Sequence, residues 1–419
     1  MRPFEGTMPL EEARAIIERT IVPIARTERV RVLDASGRVL ARDVAADADV
    51  PPFSRAAMDG YAVRAADTAN ASRQSPIALR CIEQTFTGQV PRHSIGPGQC
   101  IEVATGAPLP SGADAVVMVE ETAGDGGTLQ GAPYDTERGE SNEIGLIRVF
   151  AAVQPQQNVG RQGADISRGQ TVLHAGSFLN ASRAGALSAL GLTDVEVYAK
   201  PRVAILSTGD EIVDPGTPLA AGQIYDINKV TLSAVVSEHG GVPVTYRTAM
   251  DTLEDVSRAV DDCLVEDLLV FSGGSSVGRR DLIIDVIAEK GEVLFHGIAV
   301  KPGKPTAFGL VGGKPFFGMP GYPTSCLSNA YILLAPALRR IARLPGQPVR
   351  SLRMPLGARI TSVTDRHQFY SVRIADGQAM PAFKASGDIT SMSQADGYIE
   401  VPIGVGAVEK GETVDVTLF

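Results

Sequence analysis

The sequence has 419 residues, of which 44% are hydrophobic and 21% are charged. These proportions are ordinary for a globular protein and exclude wholesale disorder. The 39 basic and 48 acidic residues give a formal net charge of −9, so the overall charge excludes a chain built to bind nucleic acid. At roughly 150 residues per domain, this length predicts two to four domains.

The cysteines and the apolar runs narrow the class of protein further. Cys81, Cys100, Cys263 and Cys326 show no Cys-x-x-Cys spacing. That pattern excludes the common zinc and redox motifs and predicts four buried side chains in a reduced compartment. No apolar run approaches the roughly 18 residues of a membrane span, and the first residues lack the hydrophobic stretch of a signal peptide. We therefore expect a cytoplasmic protein without a membrane segment.

The N-terminal half of the chain predicts one helix followed by many short strands. An apolar stripe indicates an amphipathic helix that begins at Pro9. Residues 29–45 alternate around a glycine turn, which predicts a β-hairpin. From about 46 to 165, Gly and Pro interrupt short apolar runs, which indicates a mostly β region with an exposed loop at 123–145. A second helix is predicted at about 181–190.

Residues 200–300 show a different pattern, in which short apolar strands alternate with amphipathic helices. The predicted strands lie at 203–206, 242–244, 268–271 and 293–300. This alternation predicts βαβ units and a mainly parallel sheet. A hairpin around 312–313 and a long apolar helix at about 324–343 complete the region. The segment 344–348 indicates a linker, and the tail 349–419 alternates like a small β domain.

Three glycine-rich turns follow strands of this α/β region, at 207–211, 272–278 and 301–305. Glycines let backbone amides approach an anion, and Ser and Thr add hydrogen-bond donors. Lys301 and Lys304 add full positive charges. One such turn is often purely structural, but three at the strand ends of one sheet predict a pocket for a phosphate-bearing ligand. The candidate binding residues are Thr208, Gly209, Gly273, Gly274, Ser275, Ser276, Gly278, Lys301, Gly303 and Lys304.

Acidic residues form a second group near the same turns. Glu211, Asp226, Asp251 and Asp281 all follow predicted strands or begin predicted helices. Taken singly, each of these residues could be no more than a helix N-cap. Carboxylates that face a phosphate pocket need a hard cation between them and the ligand, so the group predicts Mg²⁺-dependent phosphate chemistry. Far upstream, Asp59 lies in a proline- and glycine-bounded loop that presents one more carboxylate.

A series of motifs spans nearly the whole chain in order. They are Pro-Pro-Phe…Ala-Met-Asp-Gly-Tyr-Ala (51–62), Thr-Gly-Ala-Pro-Leu-Pro (105–110), Gly-Ala-Asp-Ala-Val-Val-Met (112–118), Gly-Ala-Asp-Ile (163–166), Ser-Thr-Gly-Asp-Glu (207–211), Tyr-Asp (225–226), Ser-Gly-Gly-Ser-Ser-Val-Gly (272–278) with Asp281, Lys-Pro-Gly-Lys-Pro (301–305) and Pro-Gly (320–321). In this series the sequence resembles the MoeA/gephyrin E-domain family, the molybdopterin molybdenumtransferases.

The resemblance implies an elongated subunit with four parts that forms a homodimer. These parts are an elongated N-terminal dimerisation and linking domain (1–45 and 166–199), a β-rich second domain that carries Asp59 (46–165), a central three-layer α/β domain with a mainly parallel sheet, related to molybdopterin adenylyltransferases (200–343), and a small C-terminal β-barrel (344–419). The fold class expected is therefore multidomain, α/β plus β.

The family's reaction takes adenylylated molybdopterin and molybdate, inserts molybdenum at the dithiolene, and releases AMP. By position, the implied catalytic residues are Asp59, Glu211, Asp251 and Asp281, with Asp251 and Asp281 as the Mg²⁺ ligands. Further implied substrate contacts are Thr105, Asp165, Asp226 and Ser325, the last near the molybdate site. In such dimers, the residues matching Asp59 and Thr105 face the α/β domain of the other subunit. The implied partner proteins are a molybdopterin adenylyltransferase and maturation proteins of molybdoenzymes, with no nucleic acid and no membrane.

Two alternatives stay open at this point. The first is a molybdopterin adenylyltransferase, because the α/β region alone fits that activity. The residues outside this region, and Asp59 among them, argue against it. The second is a non-catalytic scaffold that only binds molybdopterin. The intact acidic set argues against that alternative, because a scaffold has no need of Asp59, Asp251 and Asp281.

Overall fold

The computed structural model describes residues 6–124, 145–250, 252–273, 282–347 and 350–419. The chain forms two compact units, each taken by itself below. The first unit comprises Met1–Ala41, Gly176–Asn180 and Val195–Phe419, and the second comprises Arg42–Ala175 and Ala181–Asp194. The division into four domains stays a prediction. The exposed loop expected at 123–145 falls almost entirely outside the described residues.

The chain begins with helix α1 (Leu10–Thr20), which buries Leu10, Ala13, Ile16 and Ile17 as its apolar stripe predicts. Strand β1 (Thr27–Arg31) follows. The hairpin expected at 29–45 is wrong, because β1 pairs with the distant strand Asp194–Tyr198. The buried residues Val39 and Leu40 likewise bridge Phe178 and Val197. Apolar burial against distant segments therefore outweighs local pairing around the turn.

The second unit is built mostly from short strands. They are β2 (Val44–Ala45), β3 (Arg55–Ala56), β4 (Gly60–Val63), β5 (Ile77–Thr85), β6 (Gln99–Val103), β7 (Ala115–Met118), β8 (Thr122–Gly124), β9 (Gly145–Val149), β10 (Val159–Gly160) and β11 (Thr171–Leu173). Six of them form one sheet in the order β7-β4-β6-β5-β9-β8, and β3–β10 and β2–β11 pair separately. The mostly β region is confirmed. Helix α2 (Ala181–Ala189) follows, and β12 (Asp194–Tyr198) leads back to the first unit.

The α/β region of the first unit comes next. Its strands are β13 (Arg202–Ser207), β14 (Ile212–Val213), β15 (Ile224–Tyr225), β16 (Val242–Thr245), β17 (Leu268–Ser272), β18 (Gly291–His296), β19 (Val300–Lys301), β20 (Ala307–Val311) and β21 (Lys314–Met319). Its helices are α3 (Ile227–Glu238), α4 (Leu253–Cys263), α5 (Leu282–Lys290), α6 (Pro323–Asn329) and α7 (Ala335–Ile341). The main sheet has the order β16-β13-β17-β21-β20-β18. The first four strands are parallel, and β20 is antiparallel to both neighbours, so a mainly parallel sheet is confirmed.

Helices cover both faces of this sheet. Side chains alternate across a strand, so Val203 and Ile205 of β13 pack in one core cluster with residues of α1, α3, α6 and α7. Ala204 and Leu206 point the other way and pack in a second cluster with residues of α4 and α5. Burial on both faces explains why the parallel strands read as continuous apolar runs.

Two predicted elements of this region are interrupted in the structure. The long helix expected at 324–343 consists of α6, a π-helical turn (Ala330–Leu334) and α7. The strand expected at 293–300 ends at His296. After a short connection, β19 pairs in parallel with a strand near the C-terminus, His367–Ala375. The segment that carries Lys301 therefore belongs to a different sheet.

The C-terminal region is a set of short strands with one helical turn. They are β22 (Ser351–Pro355), β23 (Ile360–Thr361), β24 (His367–Ala375), β25 (Gln378–Pro381), α8 (Thr390–Ser393), β26 (Gly397–Val401), β27 (Ala407–Val408) and β28 (Thr413–Leu418). One sheet runs β19-β24-β26-β28-β22 with β25 attached to β24, and β23 pairs with β27. The β character of the tail is confirmed, and the barrel stays a prediction. Among the described residues, no helix combines the length and the apolar character needed to cross a bilayer.

Candidate functional site

The carboxyl ends of three parallel strands meet at one edge of the main sheet. Thr208, Gly273 and Gly321 follow β13, β17 and β21, and the Thr208 N–H donates to the Ser272 carbonyl at 2.9 Å. Gly273 has a φ of +109°, and a Cβ there would lie 2.3 Å from the Thr208 carbonyl oxygen. Only glycine fits this approach. The glycine-rich turns predicted to converge therefore do so for Thr208 and Gly273.

A buried side-chain amide, which the sequence did not predict as a site residue, links these strand ends by hydrogen bonds. Asn228 Nδ2 donates to Ser272 Oγ at 2.7 Å and to the Gly321 carbonyl at 2.8 Å. Asn228 lies in the first turn of α3 and is only 7% exposed. Its one signal in the sequence is its position two residues after Asp226, at the start of a predicted helix.

Several buried polar atoms at this edge lack a hydrogen-bond partner among the described residues. They are Ser207 Oγ, Thr208 Oγ1 and Asn228 Oδ1. Leaving a buried polar atom unpaired costs about 1–3 kcal/mol, and native structures rarely keep several of them together without a reason. Their clustering at the carboxyl edge indicates a place for a polar ligand, which is where parallel α/β sheets bind ligands.

The lysine turn, residues 301–305, reaches the same edge by a route that differs from the predicted one. It follows the short strand β19 and precedes β20, whose first residue Ala307 pairs with Gly318 near the end of β21. The antiparallel direction of β20 thus places residues 301–306 at the carboxyl edge. Lys301 and Lys304 are both half-buried.

A second buried amide fixes the shape of this turn. Asn329, the last residue of α6, donates from Nδ2 to the Gly303 carbonyl at 2.8 Å and to Thr306 Oγ1 at 2.6 Å. Gly303 has a φ of +99°, and a Cβ there would lie 2.2 Å from Asn329 Nδ2. Asn329 and Thr306 are fully buried. The lysines are therefore presented from a turn that is packed against a helix.

The acidic residues that the structure describes have different roles. Asp226 is the N-cap of α3, and its Oδ1 accepts from the Lys229 N–H at 2.9 Å. Lys229 Nζ lies 3.5 Å from Asp226 Oδ2 and 2.7 Å from Asp214 Oδ1, so a cation already faces this buried carboxylate. Glu211 is exposed, and its carboxylate lies against Gly209.

Several predicted site residues lie outside the described residues. They are Asp251, Gly274, Ser275, Ser276, Gly278 and Asp281. A bridge between Thr208 and Ala249 brings the chain as far as Met250 toward the carboxyl edge. Within the described ranges, no group of three or more His, Cys, Asp or Glu residues is arranged to hold a metal ion.

Ser325 lies in α6 and is 3% exposed. The next residue, Cys326, is completely buried, and burial raises the pKa of its thiol to about 12 while a hydrogen bond with Ser272 opposes the shift. Helix α6 therefore packs on the end of β17, and Ser325 lies in the helix that also holds the lysine turn.

The second unit presents a separate carboxylate. Asp59 directly precedes β4 and is exposed. Its Oδ1 accepts from the Thr105 N–H at 2.6 Å and from Thr105 Oγ1 at 2.8 Å. These hydrogen bonds, the backbone one first, lower the pKa of Asp59 below its ordinary value. The geometry thus brings two predicted residues, Asp59 and Thr105, into direct contact and holds the carboxylate in its charged form.

Backbone hydrogen bonds join segments of the second unit that carry three of its four motifs. The Ala56 N–H donates to the Ala107 carbonyl at 2.9 Å, and the Asp165 N–H donates to the Val50 carbonyl at 3.0 Å. Asp165 is exposed. Segments more than a hundred residues apart therefore pair directly within the second unit.

Three family models of one family match most of the chain. The family model of the MoeA N-terminal region (domains I and II) matches residues 8–191. The model of a probable molybdopterin binding domain matches residues 204–340, and that of the MoeA C-terminal region (domain IV) matches residues 353–419.

Individual relatives match over nearly their full length. The chain is 34% identical to molybdopterin molybdenumtransferase 2 of Mycobacterium tuberculosis, covering 97% of this chain and 98% of the relative. It is 30% identical to the molybdopterin molybdenumtransferase of Bacillus subtilis, covering 94% and 90%. A solved structure of a MoeA molybdopterin biosynthesis protein from Pyrococcus horikoshii is 39% identical, covers 99% of both chains and superposes with a TM-score of 0.82. The chain belongs to the MoeA family of molybdopterin molybdenumtransferases, enzymes of molybdenum cofactor biosynthesis.

Proposed function

We propose that this enzyme inserts molybdenum from molybdate into adenylylated molybdopterin, with release of AMP, in a Mg²⁺-dependent reaction. The observation that carries the proposal is the group of unpaired buried polar atoms beside Thr208 and Asn228 at the carboxyl edge. Such atoms are satisfied by a polar ligand, and the nearby Lys301–Lys304 turn supplies positive charge for one that bears phosphates. Because the chain belongs to a family of molybdopterin molybdenumtransferases, we propose that this ligand is a pterin phosphate.

The chain's own residues suit the breaking of a phosphoanhydride bond. When an oxygen nucleophile bonds to the AMP phosphorus and the bond from that phosphorus to the pterin phosphate oxygen breaks, negative charge develops on the departing phosphate oxygen. Lys301 and Lys304 stabilise that charge best if they are fixed in place beforehand. Asn329 and Gly303 provide this fixation, because they leave the turn little freedom to rearrange.

We include a magnesium ion in the proposal because of the sequence pattern around Asp251 and Asp281. The described residues alone do not make a metal site, and Asp226 is engaged with Lys229. When bound, Mg²⁺ would neutralise phosphate oxygens. We expect AMP release to require added Mg²⁺ and to fall by orders of magnitude in Asp281→Asn, a variant that keeps any helix-capping ability. Wild-type rates of Asp281→Asn in saturating Mg²⁺ would contradict the metal role.

We further propose that the enzyme is a homodimer in which the carboxylate of Asp59 of the partner subunit serves the site that contains Lys304. Two variants in which we expect strongly reduced AMP release at low substrate concentration, Asp59→Asn and Lys304→Ala, are mixed under conditions of subunit exchange. Mixed dimers then contain one intact site, so activity should recover toward half of the wild-type level per mixed dimer. A monomer by light scattering with full activity would contradict this arrangement.

The deciding experiment supplies the full chain with adenylylated molybdopterin, molybdate and Mg²⁺ and measures AMP. We expect molybdate-dependent AMP release. Removing a charge-assisted hydrogen bond to phosphate costs about 1.5–3 kcal/mol, so Lys304→Ala should weaken binding of adenylylated molybdopterin about tenfold or more without lowering the melting temperature. Pyrophosphate release from ATP would instead support an adenylyltransferase, and binding without turnover would support a scaffold.

A further inference from the structure

A second cavity lies between the α/β region and the C-terminal strands of the first unit. Its volume is about 930 Å³, in the range of about 300–1,000 Å³ that is typical of small-molecule sites. Residues of α1, of the π-helical turn, of α7, of β26 and of β28 form its walls, together with the described ends of the linker, 344–347 and Arg350.

This cavity is separate from the carboxyl edge. Leu344, which lines it, packs against Gly240 just before β16, since a Cβ on Gly240 would lie 2.4 Å from Leu344 Cδ1. The start of a parallel strand marks the amino edge of the sheet. The cavity therefore lies toward the amino edge, whereas the lysine turn and the unpaired atoms lie at the carboxyl edge.

Positive charge in the cavity exceeds the negative charge around it. Four arginines and two glutamates line the cavity, although Arg14 pairs with Glu11 at 2.7 Å and Arg340 pairs with Glu18 at 3.3 Å. Arg339 donates to the Pro345 carbonyl at 2.7 and 3.0 Å and makes no ion pair within the described part of the chain. Burial lowers the pKa of Arg339. Such a partly desolvated cation favours an anion as its neighbour.

Arg350 is a second arginine that lines the cavity. It is exposed at the rim of the cavity and has no carboxylate partner among the residues that the structure describes. Two arginines of one cavity that have no ion-pair partner within the described ranges can both bind the negative charge of a ligand.

Aromatic rings form another wall. The ring centroid of Phe419 lies 5.1 Å from that of Tyr331 and 5.9 Å from that of Tyr398. Behind them, the buried His239 meets Tyr331 edge-on at 6.3 Å. Tyr331 lies in the π-helical turn, and such turns occur frequently at functional sites. The cavity is therefore lined both by aromatic rings and by arginines, the groups that bind a flat heteroaromatic ring and a phosphate.

We propose that this cavity binds an aromatic phosphate of mononucleotide size, with its phosphate at Arg339 and Arg350 and its ring against Tyr331 and Tyr398. A purine nucleotide and a pterin phosphate share this chemistry. The site is independent of the reaction proposed at the carboxyl edge, so loss of one need not affect the other.

The test uses the full chain, the photoreactive probe 8-azido-AMP and peptide mapping by mass spectrometry. We expect labelling of peptides that contain Tyr331 or Tyr398, suppressed by excess AMP or a pterin phosphate but not by the same concentration of inorganic phosphate. The more potent of the two organic competitors identifies the source of the ligand. In Arg339→Gln and in Arg350→Gln, the AMP concentration that suppresses labelling should rise at least tenfold.

Two control variants separate this site from others. Arg359, which pairs with Glu409 on the C-terminal region and does not line the cavity, is the matched arginine, and Arg359→Gln should leave the labelling unchanged. Lys304→Ala should also leave it unchanged, because that residue belongs to the carboxyl edge. Arg350 is exposed, so Arg350→Gln should fold normally. Absence of label at the cavity, labelling that both arginine variants leave unchanged, or equal suppression by inorganic phosphate would overturn the proposal.

Discussion

Asp59 is an exposed carboxylate that two hydrogen bonds from Thr105 hold in its charged form. Because these bonds favour the carboxylate, the pKa of Asp59 is lower in the folded chain than in the unfolded chain. The stabilisation is therefore present above the ordinary pKa of aspartate and is lost as the pH falls through the lowered value. A carboxylate that stays charged to a lower pH than usual suits a role with a cationic partner.

We expect Thr105→Val to raise the pKa of Asp59 toward its ordinary value. The variant removes the hydroxyl donor and keeps the backbone N–H donor, so the shift should be partial. Carboxyl-carbon NMR titration of Asp59 measures it directly. Thr87→Val is the matched control, because Thr87 Oγ1 donates at 2.7 Å to the carbonyl of Thr105 and not to Asp59. Identical titration midpoints in wild type and Thr105→Val would show that the hydroxyl has no such effect.

Lys229 compensates a carboxylate that is buried at the carboxyl edge. It is 9% exposed and lies between Asp226, which is 3% exposed, and Asp214. We expect Lys229→Met to lower the free energy of unfolding by about 3–5 kcal/mol, because it leaves Asp226 buried without a counter-charge. Asp214→Asn should cost at most about 1 kcal/mol, since its side chain is largely exposed.

Urea unfolding of both variants measures this difference. Both changes remove the 2.7 Å ion pair between Lys229 and Asp214, but only Lys229→Met also removes the cation that faces the buried Asp226. Equal losses of unfolding free energy in the two variants would mean that Lys229 does not stabilise the buried carboxylate of Asp226.

At the scale of elements, the site depends on how closely the ends of parallel strands approach. Gly273 allows β17 to end against the Thr208 carbonyl. We expect Gly273→Ala to lower the free energy of unfolding by at least about 1–3 kcal/mol, the strain of a non-glycine residue at positive φ, and to weaken binding at the carboxyl edge.

Gly321→Ala is the matched control for this variant. A Cβ on Gly321 would meet its nearest neighbour, Gly273 Cα, at an ordinary 3.7 Å. Gly321→Ala should therefore keep nearly wild-type stability. Thermal unfolding of both proteins checks the pair, and an unaltered melting temperature in Gly273→Ala would contradict the close approach.

The sequence predicted most elements of the α/β region because its parallel strands are buried on both faces and its helices on one. Those two periodicities are visible without any tertiary information. The hairpin at 29–45 failed because β1 finds its partner in β12, far along the chain. Asn228 and Asn329 were not predicted for a related reason. A single buried amide side chain produces no periodic pattern in the sequence.

The turn motifs were the more useful signal for the site. Glycine, serine and lysine after a strand predicted Thr208, Gly273 and the lysine turn at one edge, because parallel strands all end on the same side. The route of the lysine turn could not be predicted, since β19 is only two residues long and its partner strand begins at His367.

At the scale of the whole molecule, the C-terminal region shares a backbone ladder with the lysine turn. Besides the pairing of β19 with β24, the His367 N–H donates to the Ala299 carbonyl at 3.0 Å. We expect His367→Pro, which removes this donor, to speed amide exchange at residues 298–304 about fivefold, for a loss of about 1 kcal/mol.

His367→Ala is the control, because it also loses the contact of the imidazole with Glu400 but keeps the backbone N–H. Hydrogen exchange followed by mass spectrometry compares the two proteins. Equal exchange in both variants would show that the ladder does not hold the lysine turn.

The two-residue strand β19 also limits how this protein can be recombined with its relatives. The linker at 344–347 looks like a natural joint for exchanging C-terminal regions, but a crossover there separates β24 from the segment it pairs with. A chimera built at that joint inherits the lysine turn from one parent and its supporting strand from the other. Residues 298–304 and the C-terminal strands form one inherited block, and a functional graft has to transfer both.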